Sequence, residues 1–169
     1  MKGLLTQLAF AVLASALFIV DANAAQWRGI IPLKSTRLDV ERLLGRPLSV
    51  KLKFYATYKL EDEEVRIDYS DKKLCTRTDE CDCRVPNDTV LHVVVHPKNE
   101  IRFSSLGLDT LTFNEIVNPE NPNNVAYSNS ETGLMYVISK KDDLVLYVQY
   151  GPTAKDCQEA FIANSVERP

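Results

Sequence analysis

The chain predicts an α+β domain with a mainly antiparallel sheet, on three observations. Several short segments alternate apolar and polar residues with a period of two. They follow one another in hairpin order, with turn residues between them. Helical periodicity occurs only near the two ends of the folded region and never between consecutive strands. A parallel sheet would need a long crossover after each strand, so the pattern favours an antiparallel sheet with helix packed on one face. About five or six strands are expected, in one domain over residues 25–169, a length that suits a single core.

Residues 35–45 carry the first helix signal. Ser35 or Thr36 can cap it, Thr36 with Asp39 forms a capping-box pattern, and Gly45 followed by Pro47 supplies the stop. Val40, Leu43 and Leu44 fall on one face. A helix this short is marginal alone and must lay that face on something larger. Residues 50–60 alternate throughout, with Val50, Leu52, Phe54, Ala56, Tyr58 and Leu60 facing one way, which predicts one half-buried strand. Glu61 to Glu64 reads as a solvated hairpin turn, and Val65, Ile67 and Tyr69 mark the returning strand.

Residues 71–88 read as a polar loop carrying three cysteines, followed by a strand from Thr89 to His96 that Pro97 ends. Residues 111–117 suit a strand, and the Asn- and Pro-rich run 118–124 a loop. A last hairpin pairs Leu134–Ser139 with Leu144–Tyr150 across the turn Lys140–Asp143. Thr153 and Asp156 then cap a short C-terminal helix. No internal repeat and no low-complexity linker is found.

Residues 1–24 have the form of a secretory signal peptide. Lys2 precedes an apolar run from Leu4 to Val20, and Ala22-Asn23-Ala24 supplies a small-residue cleavage site. The alternative, a retained membrane anchor, is disfavoured because Asp21 follows the run directly and no basic cluster acts as a stop-transfer flank. A periplasmic or secreted protein is therefore expected, beginning at Ala25 or Gln26. The net charge of −3 gives no basic footprint for nucleic acid.

Export also decides the reading of the cysteines. Cys75, Cys81, Cys83 and Cys157 are even in number and all follow the leader, which predicts two disulfides. A Cys81–Cys83 bridge would be strained across one intervening residue, so Cys157 is expected to pair with a cysteine of the 75–83 loop. The C-x5-C-x-C spacing matches no usual zinc pattern, and redox exchange normally uses C-x-x-C.

The stretches WRGIIPLKSTRLDVERLLGRP, VPNDTVLHVVVHP, YSNSETGLMYVIS and VQYGPTAKD together resemble a family of uncharacterised exported bacterial proteins. More remotely, the S-T-x-x-D-V-x-x-L-L-G-x-P helix resembles that of the SmpA/OmlA lipoproteins, outer-membrane assembly factors in which a short helix packs on an antiparallel sheet. The first resemblance implies an exported protein without assigning an activity. The second implies an envelope setting, although this chain lacks the lipid-acceptor cysteine of those lipoproteins.

Candidate sites are few. His92 and His96 share one side of a strand with Val94 between them, about 13 Å apart along it, too far to share one metal ion. No serine and histidine make a recognisable hydrolase arrangement, and Glu61 to Glu64 lack the spacing of a calcium loop. Asn87-Asp88-Thr89 reads as a turn before a strand. No catalytic residue, metal ligand or cofactor is assigned. Seven tyrosines spread over the strands suit core-edge packing, or a binding surface if helix covers only one sheet face. The expected role is binding or structural in the envelope, toward a protein or envelope ligand, with a small secreted hydrolase as the alternative.

Overall fold

In the computed structural model, which describes residues 25–51, 53–73 and 84–166, the first helix, α1 (Arg37–Leu44), starts where its cap dictates. The Thr36 hydroxyl accepts from the Asp39 N–H, and the Asp39 carboxylate accepts from the Thr36 N–H at 2.9 Å, so two end donors are satisfied reciprocally. Those bonds hold the Asp39 carboxyl below its ordinary range. Val40 is fully buried and Leu44 packs on the core, whereas Leu43 is 53% exposed, so the buried stripe is narrower than expected.

Eight strands follow rather than five or six: β1 (Ser49–Lys51), β2 (Tyr55–Lys59), β3 (Glu63–Tyr69), β4 (Val90–Pro97), β5 (Asn114–Val117), β6 (Asn124–Asn129), β7 (Leu134–Ser139) and β8 (Leu144–Tyr150). Two departures account for the difference. The single strand expected over 50–60 is broken by Lys53, which takes a positive φ of 65° and turns the chain so that β1 pairs antiparallel with β2. The run at 124–129 is also a strand, because Val125 and Tyr127 find partners on both β5 and β7. Its polar and small residues hide the alternation.

The strand order β1-β2-β3-β4-β8-β7-β6-β5 places two four-stranded meanders side by side, joined where Val93 and Val95 of β4 face Tyr150 and Val148 of β8. Every pairing is antiparallel. In register, Tyr58, Val65 and Val95 line up across the first meander, as do Ala56, Ile67 and Val93. These side chains form the main core with Val40 of α1 and with Trp27 and Ile30 of the N-terminal turn. On the same face of the second meander, Val125, Ile138 and Val145 make a smaller core capped by Phe103. That phenylalanine lies in a short 3-10 turn (Phe103–Leu106) and stacks on Tyr127 with ring centroids 4.9 Å apart.

The closing helix, α2 (Ala154–Val166), is capped by Thr153 and Asp156 as the sequence implies, the Asp156 N–H donating to the Thr153 hydroxyl at 3.0 Å. No helix among the described residues is long and apolar enough to cross a membrane. Residues 1–24, whose sequence has the form of a signal peptide, and Cys75, Cys81 and Cys83 lie outside the described residues.

Candidate functional site

One sheet face is covered by α1, the Trp27–Ile30 turn and Phe103, and strand alternation sends the intervening residues to the other face. That second face is polar over the first meander, where Arg66 pairs with Asp68 at 2.9 Å. It turns apolar over the second meander. There Ile116, Ala126, Val137 and Leu146 line a groove of about 740 Å³, rimmed by His96, Tyr147 and the Asn118-Pro119 loop. The groove follows from a local irregularity. The register shifts between Val137 and Ile138 against β8, so the two adjacent residues Leu146 and Tyr147 both line it, where regular alternation would send one of them to the core.

Exposure marks the same region. Ile116 is 54% and Leu146 37% exposed, although both sit on strands of a well-packed sheet. A volume of this size is typical of ligand pockets, and a mostly apolar lining with a few polar groups at its rim suits binding. His96 and Tyr147, whose ring centroids are 5.3 Å apart, are its titratable residues. Among the described residues that line it there is no carboxylate, although Glu64 of β3 stands in register with His96 on the same sheet face.

The structure sorts the sequence candidates clearly. His92 and His96 do share a face: His96 is exposed at the groove, and His92 is half-buried near Gly151. Glu61 and Asp62 form the tip of the β2–β3 hairpin, with Glu63 engaged by Arg28 at 2.7 Å. Asp88 takes a positive φ in a turn and accepts from Arg37 at 2.8 Å, just before β4. Cys157 is half-buried on α2, and no cysteine among the described residues is free. Ile116 and Leu146 were not singled out from the sequence. The signal for them was two apolar residues in strands whose neighbours pack no helix over that face.

Of the tyrosines, Tyr58, Tyr69, Tyr127, Tyr136 and Tyr150 belong to the covered side, packed into or against the cores. Tyr147 lines the groove, and Tyr55 lies on the open face of β2, where Arg66 approaches its ring. Burial pushes the phenols of Tyr58, Tyr69, Tyr136 and Tyr150 above their ordinary value of 10.0. For Tyr69 the neighbouring Tyr58 adds to that effect, and both hydroxyls are buried without a hydrogen bond of normal geometry. In the unfolded chain these phenols ionise near pH 10, while the folded domain keeps them protonated. Their contribution is therefore complete below about pH 10 and is lost as pH rises beyond it. Tyr69→Phe is expected to flatten this alkaline fall by on the order of 1 kcal/mol per pH unit. Urea midpoints on either side of pH 10 measure it, and an unchanged slope would assign the fall to other groups.

The fold and the open face together define a class: an antiparallel sheet covered by helix on one side, with an apolar groove on the other. No family model matches the chain, and no curated protein does. Among solved structures, the chain is similar to a DUF4309 family protein, YjgB, from Bacillus subtilis. The TM-score is 0.51 at 14% identity, covering 75% of this chain and 84% of that one. At that identity the likeness is one of fold.

Proposed function

We propose that the protein is an exported, disulfide-stapled domain that binds a protein or envelope ligand without catalysing a reaction, through the groove on its open sheet face. One observation carries this reading: Ile116 and Leu146 are exposed on strands of the sheet and converge with Ala126 and Val137 on one apolar groove. Large apolar side chains gathered on an exposed sheet face mark an interaction site.

Several further points support it. The A-x-A leader and the resemblance to exported bacterial proteins favour the envelope. Cys157 is not a free thiol, in keeping with the oxidising compartment proposed here. Its expected partners, Cys75, Cys81 and Cys83, would tie the start of α2 to the loop before β4.

The test is affinity capture from the native envelope fraction, comparing the natural protein with Leu146→Asp and His96→Ala. A partner or ligand retained by the natural protein and by His96→Ala, but lost from Leu146→Asp, is the expected result. Equal recovery by the natural protein and a folded Leu146→Asp variant would move binding off the groove. A hydrolytic activity abolished by His96→Ala would overturn the non-catalytic reading.

A further inference from the structure

We infer that the free edge of the sheet at β5 is a self-association surface on which a second copy of this chain adds its own β5 in antiparallel register. This does not rest on the binding role of the groove. β5 pairs with β6 on one side only and ends the strand order. The outward groups follow from the ladder. The Lys140 N–H donates to the Asn123 carbonyl, so the hydrogen-bonded pairs of β6 with β7 are the odd-numbered residues of β6, and its even-numbered residues bond β5. In β5 the backbone groups of Asn114 and Ile116 therefore point at β6. Those of Glu115 and Val117 point out of the sheet, and no bond to them occurs among the described residues.

Within β5 there is no lysine, proline or bulge, three of the guards that edges use against strand addition. Its one charge, Glu115, is turned to Tyr127 and Lys140, each at 3.2 Å. Ile116 and Val117 are 54% and 48% exposed. The opposite edge differs: β1 is three residues long, includes Lys51 and is preceded by Pro47.

A second copy of the chain fits this edge in one register. Centring a two-fold axis on Val117 would set Glu115 against Pro119, which has no N–H to donate. Centring it on Glu115 would place like charges directly opposite each other. Centring it on Ile116 avoids both. Glu115 and Val117 of the two copies then exchange the outward backbone bonds. The two Ile116 side chains meet as a close non-hydrogen-bonded pair on the open face, beside the groove of each copy.

Sedimentation velocity of the natively purified protein across the micromolar range should show a concentration-dependent dimer. Ile116→Lys should weaken it by roughly tenfold or more. Val117→Pro, which removes only an outward N–H, should do the same with the domain still folded by circular dichroism. Ile116→Cys should cross-link between copies on mild oxidation and Glu115→Cys should not, since a non-hydrogen-bonded pair sets the Cα atoms about 4.5 Å apart, within reach of a disulfide. A monomer at all concentrations, a dimer indifferent to both edge variants, or stronger cross-linking from Glu115→Cys would each overturn the inference.

Discussion

Ile67→Ala is expected to lower the stability of the domain by about 4 kcal/mol, within the range of roughly 2 to 5 measured for such truncations. Ile67 is fully buried in β3, an interior strand, and stands in register with Ala56 on one side and Val93 on the other. Removing its outer carbons forfeits transfer free energy and leaves a cavity. The sheet backbone, hydrogen-bonded on both sides, cannot collapse to fill it. Ile67→Val removes one methyl group and should cost only about 1 kcal/mol. Ile116→Ala makes the same chemical change on an exposed edge and, at protein concentrations where the chain is monomeric, should stay within about 0.5 kcal/mol. Urea unfolding of the three variants checks the order. A loss below about 1 kcal/mol for Ile67→Ala would show that the first meander does not hold the main core.

Gly133→Ala is expected to cost about 3 kcal/mol, although it adds a single methyl group. Gly133 has a φ of 71°, where an L side chain is strained, and that alone is worth on the order of 1 kcal/mol. The larger effect is steric. A Cβ built there would stand 2.3 Å from the carbonyl oxygen of Gly151. Neither backbone can yield easily, because the Gly151 N–H donates to the Gly133 carbonyl at 2.8 Å and the Gly133 N–H donates to Asn129 at 2.9 Å. The clash therefore displaces the junction of the β6–β7 turn, the end of β8 and the entry to α2. Gly107 is the control: its φ is also positive, at 61°, but nothing lies within 4 Å, so Gly107→Ala should cost only about 1 kcal/mol. Equilibrium unfolding, with amide exchange at Gly151 as a local readout, distinguishes the two. Equal losses would show that backbone strain alone matters at Gly133.

These positions differ in how well the chain announces them. Ile67 is legible, because it sits in a run where Val65, Ile67 and Tyr69 alternate with polar residues, and alternation is what a half-buried strand requires. Gly133 reads only as a turn residue, since its contact with Gly151 joins segments far apart in the chain. The groove was least legible. Ile116 lies in a four-residue strand with every residue exposed, and Leu146 in a strand whose Val145 and Val148 go to the core. Only the bulge at Leu146 of β8, opposite Val137 and Ile138 of β7, turns Leu146 outward toward Ile116, and it depends on β7 and β8 being paired.

The sequence by itself determined the α+β class, the capped start of α1, the β2–β3 and β7–β8 hairpins and the cap of α2. Each of these is set by residues within a few positions of one another, through caps, turns and alternation. The tertiary structure decided the eight-strand count, the break at Lys53, the pairing of β4 with β8 and the groove. Those depend on which strands become neighbours, and the joining of the two meanders sets residues from either half of the chain side by side. Hydrogen-bond partners and burial across such distances are properties of the assembled sheet, and no local pattern encodes them.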